Sequence, residues 1–295
     1  MKLLKTASNQ LRIKSHKILF ILQSELDLYY LNKYKNSTKA LGQFIKVFKS
    51  TKNNEICCEE KEWIEKIATF KNNLDRSNTQ ISFVDYGAGS PDLKLTPEQT
   101  YEGKIVKNTI GGISRHSSKS SKEAFLLFKL IREFKSLVCL ELGTCLGVST
   151  IYQGAALEIN GKGQISTLEG SESLSQAALN NFKEMNINKI TLVTGRFQDT
   201  LDNVLGGLPN IDFAFIDGHH EEKATINYYQ KILARISNNA TLVFDDISWS
   251  KGMARAWHEI SKRKDVKISF DLFSMGICFC SPFLEKIEKT FKISL

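Results

Sequence analysis

The spacing of apolar positions changes near residue 135. Before it the spacing is helical: residues 18–31 are densely apolar, Leu41, Phe44, Ile45 and Phe48 recur at i, i+3, i+4 and i+7, and Trp63, Ile64, Ile67, Phe70 and Leu74 lie on one helical face. Such spacing gives a helix one apolar stripe with which to pack. Residues 86–121 are rich in Gly, Ser, Lys and Thr and read as loop. Ser120-Ser121-Lys122-Glu123 then has the arrangement of a capping box, in which a hydroxyl and a carboxylate satisfy each other's backbone amides. It should open a helix carrying Phe125, Leu126, Phe128, Leu130, Ile131 and Phe134.

From there strands and helices alternate. Short apolar runs at 137–142, 164–168, 190–193, 211–216 and 240–244 are separated by helical stretches, the clearest being 222–236, with Ile226, Tyr229, Ile232, Leu233 and Ile236 on one face. Alternation of this kind argues for parallel strands joined by right-handed crossovers. The runs at 267–273 and 275–280 lie too close together for a crossover helix and should form an antiparallel hairpin at the sheet edge. No internal repeat interrupts the pattern. The expected fold is α/β: a Rossmann-like, seven-stranded sheet, mostly parallel with a C-terminal antiparallel hairpin, plus an N-terminal helical region. The expected organisation is a basic helical region over 1–80, a loop-rich cap over 81–122 and the Rossmann-like domain over 123–295.

Composition narrows the reading. The 295 residues are 42% hydrophobic and 24% charged, ordinary for a globular chain. No apolar run approaches the roughly 18–20 residues of a membrane-spanning helix. The run at 18–22, behind basic residues, is too short for a signal peptide and lacks a small-residue cleavage site. A cytoplasmic protein with no membrane span is expected. Six cysteines, with no CxxC pair and three of them inside apolar runs, read as reduced thiols rather than as a metal or disulfide framework. Residues 1–52 hold 11 Lys/Arg against Glu25 and Asp27, a net of +9, so the rest of the +8 chain carries −1. This basic segment could meet RNA or acidic lipid, but its lysines are scattered among packing positions, which favours a solvated surface.

Two segments could hold a cofactor by backbone: Phe83-Val84-Asp85-Tyr86-Gly87-Ala88-Gly89-Ser90, and Cys139-Leu140-Glu141-Leu142-Gly143-Thr144-Cys145-Leu146-Gly147-Val148-Ser149-Thr150. A glycine loop alone is a weak signal, so context decides. Pro91 and Pro97 keep the first from running into a helix, whereas a helix can start directly after Gly147. The run that follows ends in an acid, Glu169, 22 residues beyond Gly147. Glycines admit close backbone approach. The Gly143-x-x-x-Gly147 spacing, with Cys145 where a dinucleotide loop would carry its middle glycine, and the acid Glu141 beside it suit a cationic ligand better than a pyrophosphate. Glu169 is placed to accept hydrogen bonds from ribose hydroxyls.

Glu-Leu-Gly-Thr-Cys-Leu-Gly-Val-Ser-Thr (141–150) resembles motif I of class I O-methyltransferases dependent on S-adenosylmethionine (SAM), the group of catechol O-methyltransferase and of bacterial sugar and natural-product O-methyltransferases. The resemblance extends through Thr-Leu-Glu-Gly (167–170), Gly-Arg-Phe-Gln-Asp (195–199), Phe-Ile-Asp-Gly-His-His (215–220) and Val-Phe-Asp-Asp-Ile (243–247), and covers about 123–280. It implies SAM as cofactor, with Glu141, Gly143, Thr144, Gly147, Ser149 and Thr150 about its methionine part and Glu169 and Gly170 at the ribose. It also implies Gln198 and Asp199 by the adenine, and Asp217, Gly218 and His219 beneath the sulfonium. Gln198 and Asp199 could equally be helix N-terminal residues favoured by the dipole.

In cation-dependent relatives the positions of Asp217, Asp245 and Asp246 hold a divalent metal, so Mg²⁺ is a candidate second cofactor; relatives among the sugar enzymes often carry a further Asp where this chain has His219. Asp217 or His220 could act as general base. The expected function is methylation of a small-molecule hydroxyl, on a sugar or a natural-product intermediate. The rivals are an RNA methyltransferase docking through the basic N-terminus and a non-catalytic SAM-fold scaffold. A homodimer is compatible with either.

Overall fold

The computed structural model describes residues 19–21, 23–31, 38–87 and 101–295. Residues 23–31 are helical. The helix α1 (Lys39–Lys52) follows, capped by Thr38, whose hydroxyl accepts the Leu41 N–H at 3.1 Å. Its stripe of Leu41, Phe44, Ile45 and Phe48 is buried as the spacing requires. Phe44 stacks on Phe270 at 3.9 Å between centroids and meets Phe279 edge-on at 5.5 Å. Fully burying one such ring contributes roughly 1.5–3 kcal/mol. Helix α2 (Cys58–Arg76) carries a buried acid, Glu60, which takes the Lys129 ammonium at 2.5 Å. That pair ties α2 to α4 (Ser121–Phe134), where the expected capping box forms: Ser120 Oγ accepts from Glu123 N at 3.2 Å and Glu123 Oε2 from Ser120 N at 3.2 Å.

Between α2 and α4 the structure departs from the loop expected over 86–121. Strands β1 (Gln80–Asp85) and β2 (Lys104–Thr109) pair antiparallel, from Gln80 opposite Thr109 to Asp85 opposite Lys104, and α3 (Ile110–Ser117) follows directly. β2 was illegible because it buries almost nothing: its hydrogen bonds come from β1, not from a core, so no alternation is imposed on its side chains. In α3 the pair Gly111-Gly112 masks the helical pattern.

The main sheet contains β3 (Val138–Leu142), β4 (Gln164–Glu169), β5 (Ile190–Thr194), β6 (Ile211–Ile216), β7 (Ile236–Phe244), β8 (Val266–Asp271), β9 (Gly276–Cys280) and β10 (Thr290–Lys292), in the order β10-β8-β9-β7-β6-β3-β4-β5. The seven expected strands are present, and β9 runs antiparallel to β7 and β8. β10 adds a short eighth, parallel to β8. The crossovers are α5 (Val148–Asn160), α6 (Glu172–Met185), α7 (Phe197–Gly207), α8 (Glu222–Leu233) and α9 (Lys251–Lys262). Ile236, expected on the face of α8, instead begins β7 opposite Ile211; the helix stops at Leu233, and Arg235 O accepts the Ile211 N–H at 2.8 Å.

From β3 the chain runs outward through β4 to β5, then returns to lay β6 on the other side of β3. This reversal leaves a crevice beyond the carboxyl ends of β3 and β6, where open α/β sheets bind ligands. At the other end of the sheet, Asp27 of the helical residues 23–31 accepts the Lys292 N–H at 2.7 Å, and Ser24 Oγ accepts the Ser294 N–H at 2.7 Å. Among the described residues, no helix is long and apolar enough to cross a membrane.

Candidate active site

A cleft of about 540 Å³ opens at that crevice. The loop after β3 forms its floor. Gly143 has φ 106°, and a Cβ there would come within 1.8 Å of the Asp217 carbonyl oxygen, so only glycine lets the two strand ends approach. Gly147, at φ 78°, starts α5 with a Cβ position blocked by the Phe182 ring at 2.4 Å. It shapes the turn without lining the cleft; Thr144, Cys145 and Ser149 do line it. Glu169, at the end of β4, accepts the Cys145 N–H at 2.8 Å and the Ser171 N–H at 2.9 Å. Burial raises its pKa, and those amides oppose the rise.

Glu141 lies elsewhere than expected. It is fully buried beneath the loop, outside the cleft wall, and is saturated from within. Ser149 Oγ and Gln153 Nε2 donate to it at 2.7 Å each, Thr167 Oγ1 at 2.6 Å, and Thr150 Oγ1 also donates. It holds the loop and the first turn of α5 in place. Thr150, bound to it and equally buried, also stays out of the cleft. Asp199 departs likewise: it takes the Arg196 Nε–H at 2.7 Å and stands outside the wall, while its neighbour Gln198 lines it. Gly170, Asp217, Gly218, His219 and His220 are all at the cleft.

The two histidines differ in what they touch. His219 Nδ1 lies 2.8 Å from the Tyr228 hydroxyl, and burial lowers its pKa. His220 Nε2 points at acids, 3.6 Å from Asp217 Oδ1 and 3.9 Å from Asp246 Oδ2, with its ring 5.9 Å from that of Trp249.

Asp217, Asp245 and Asp246 gather at the ends of β6 and β7, but they do not fit a divalent metal. The ammonium of Lys119, from the turn between α3 and α4, is bonded to Asp245 Oδ2. Among the described residues, no three His, Cys, Asp or Glu side chains are arranged to hold an ion. Burial raises the pKa of both Asp217 and Asp245; Lys119 opposes the shift at each. Burial works against the charge of Lys119 as well, but the charges of Asp217, Asp245 and Asp246 outweigh it and hold the ammonium above its ordinary pKa.

Phe83 and Tyr86, from β1 and the residue after it, belong to the glycine segment set aside above, yet they line the cleft. Other lining residues escaped the sequence reading: Ile113 and His116 come from α3, and Trp249 from the turn before α9. Arg196 and Phe197 lie inside a quoted motif, and the Arg196 guanidinium sits 3.6 Å over the Tyr101 ring. Lys119 stood in a Ser-Ser-Lys-Ser stretch with no distinguishing pattern.

The reversal point, the glycine loop and the acid ending the second strand of the sheet domain define a class: the fold is that of class I SAM-dependent methyltransferases. Residues 140–247, which span the loop, Glu169 and the acids after β6 and β7, match the family model described as a methyltransferase domain, so the chain carries such a domain. Among solved structures it is similar to an O-methyltransferase from Bacillus cereus in complex with SAH, at 21% identity and TM-score 0.50, covering 56% of this chain and 83% of that one. It is also similar to an SAH-bound methyltransferase of Podospora anserina, at 16% identity and TM-score 0.50, covering 56% and 80%. No curated protein matches the sequence.

Proposed function

We propose that this chain transfers the methyl group of SAM to a hydroxyl of a small-molecule acceptor, a sugar or a natural-product intermediate. One observation carries the reading: a single cleft joins Glu169, suited to a ribose, to His220 and the acids after β6 and β7. Glu169 and Asp245 end strands three positions apart in the sheet, about 14 Å at ordinary strand spacing, room for an extended cofactor with an acceptor beside it. Thr144, Cys145 and Ser149 would face the methionine part, Glu169 and Gly170 the ribose, and Phe197 and Gln198 the adenine.

When bound, SAM supplies a methyl group already activated on its sulfonium. The chain has then to align the acceptor oxygen, remove its proton and exclude water. His220 Nε2 would take the proton of the acceptor hydroxyl. Asp217 Oδ1, 3.6 Å away, stabilises the imidazolium that forms. The β1–β2 pair and α3 act as a cap shaping the acceptor side, which their residues Phe83, Ile113 and His116 line. The residues at the acidic cluster, with Lys119 on Asp245, do not favour Mg²⁺. A cytoplasmic, reducing setting suits the free thiols of Cys139, Cys278 and Cys280 inside strands.

Incubation with deuteriomethyl-SAM and a panel of sugars, phenols and other hydroxyl compounds, read by mass spectrometry, tests the reading. Transfer to an oxygen supports it. Failure of SAM and SAH to bind in calorimetry would overturn it.

A further inference from the structure

Three carboxylates at one mouth repel each other unless a cation lies among them, and hard divalent ions commonly serve. Here the cation belongs to the chain. Lys119 Nζ is bonded to Asp245 Oδ2, 126 residues away in sequence, and the charges of Asp217 and Asp246 also act on it. Its side chain is 14% exposed and lies in the cleft wall; that of Asp245 is 1% exposed.

The backbone at this lysine is fixed from both sides. Ser118 ends α3 in an extended conformation, and Ser120 begins α4 through its capping box. α3 is held to α2 by Ser114, whose hydroxyl donates to Asp75 Oδ1 at 2.7 Å, while Glu123 of α4 accepts from Ser274 Oγ at 2.5 Å. With both helix ends tethered, the side chain that leaves between them has a fixed origin facing the strand ends. An ammonium on Asp245 takes an oxygen that a divalent ion would need, and its charge repels such an ion. It also keeps donors beyond the one on Asp245, since an ammonium has three.

We propose that Lys119 is the resident cation of the acceptor site: its ammonium stands where a divalent ion would, closes the carboxylate cluster to metals and holds the acceptor oxygen by a hydrogen bond. The catalytic part of this inference rests on the reading above; the exclusion of metal does not. In the reaction the ammonium donates to the acceptor oxygen and favours its deprotonated form. The proton passes to His220 Nε2, the O–C bond forms as the C–S bond breaks, and Lys119 ends with the protons it began with. Metal-independent transfer follows.

The test reads metal uptake, not turnover. Mn²⁺ is titrated into the full chain and free ion is followed by its paramagnetic resonance signal, for wild type, Lys119→Met, Lys119→Arg and the double variant Lys119→Met/Asp245→Asn. Calorimetry with SAM checks that each variant keeps its site. Wild type and Lys119→Arg should take up no ion, while Lys119→Met gains one site per chain, at least about tenfold tighter and in the ~0.1–1 mM range of weak oxygen-ligand sites. The double variant should lose it. Uptake of Mn²⁺ by wild type that the double variant loses would overturn the proposal. So would a Lys119→Met protein that binds SAM but no Mn²⁺, because the lysine would then not be what excludes the ion. Neither result depends on methyl transfer, so a failure here is distinct from a chain that binds no SAM.

Discussion

The backbone N–H of Cys145 donates to Glu169 Oε2 at 2.8 Å, so the loop after β3 is clamped to the acid ending β4. Glu169→Ala therefore removes the clamp and, on the function proposed above, the partner of the ribose. SAM affinity should fall by roughly 1–3 kcal/mol, the scale for losing hydrogen bonds to a charged group. Thermal stability without SAM should fall as well. Glu169→Gln, which keeps an acceptor for Cys145, should retain more of both. Calorimetry and melting curves check this; unchanged affinity in the alanine variant would place the ribose elsewhere.

The neighbouring histidines should separate by phenotype. His220→Ala should lower kcat by about 10²–10⁴, the range for a general base, with SAM binding unchanged. His219→Ala, which strips the buried Tyr228 hydroxyl of its partner, should lower stability instead. Paired kinetics and urea denaturation decide the matter, and equal kinetic losses would contradict the assignment.

Asp245 gives a pH signature whose sign can be worked out. Burial, then the neighbouring Asp217, raises its pKa well above the ordinary carboxylate value, while the unfolded chain ionises it near pH ~4. Between those values the folded state holds more protons, so this group's contribution to stability falls as pH rises through that window. Asp245→Asn has no such titration. The stability of the variant minus that of wild type should become more positive as the pH is raised from about 4 in urea melts. A pH-independent difference would show that the carboxyl is not raised.

The net +9 of residues 1–52 makes RNA binding a matter for experiment. Gel shifts with tRNA and with single-stranded RNA at low salt, where phosphate contacts are strongest, should show no complex. A salt-sensitive complex would favour an RNA acceptor.

The sheet was legible because burial wrote it into the sequence. β3, β4 and β6 are covered on both faces and read as apolar runs, and the capping box at Ser120 announced α4. The cap was not legible, since β2 satisfies its backbone through β1 without a buried face. At the site, glycines and strand-end acids were readable because strand geometry fixes where they emerge. Which of them face the cleft was not. Glu141 and Glu169 look alike in sequence, but Glu141 meets four side-chain donors from α5 and β4, and only folding brings those together. Lys119 reaches Asp245 from a turn with no periodicity at all.

The bond from Lys292 N to Asp27 spans 265 residues. During synthesis the helical residues 23–31 emerge early, yet what they dock on, β10, emerges only after the whole methyltransferase domain. Asp27, 1% exposed in the finished fold, must stay hydrated on the ribosome until then, and the outer edge of β8 stays open. The sheet edge is thus completed last: β8 ends at Asp271 and β10 begins at Thr290, so the outer edge of β8 stands unpaired only while the 18 residues between them are made, a short period for edge-to-edge association.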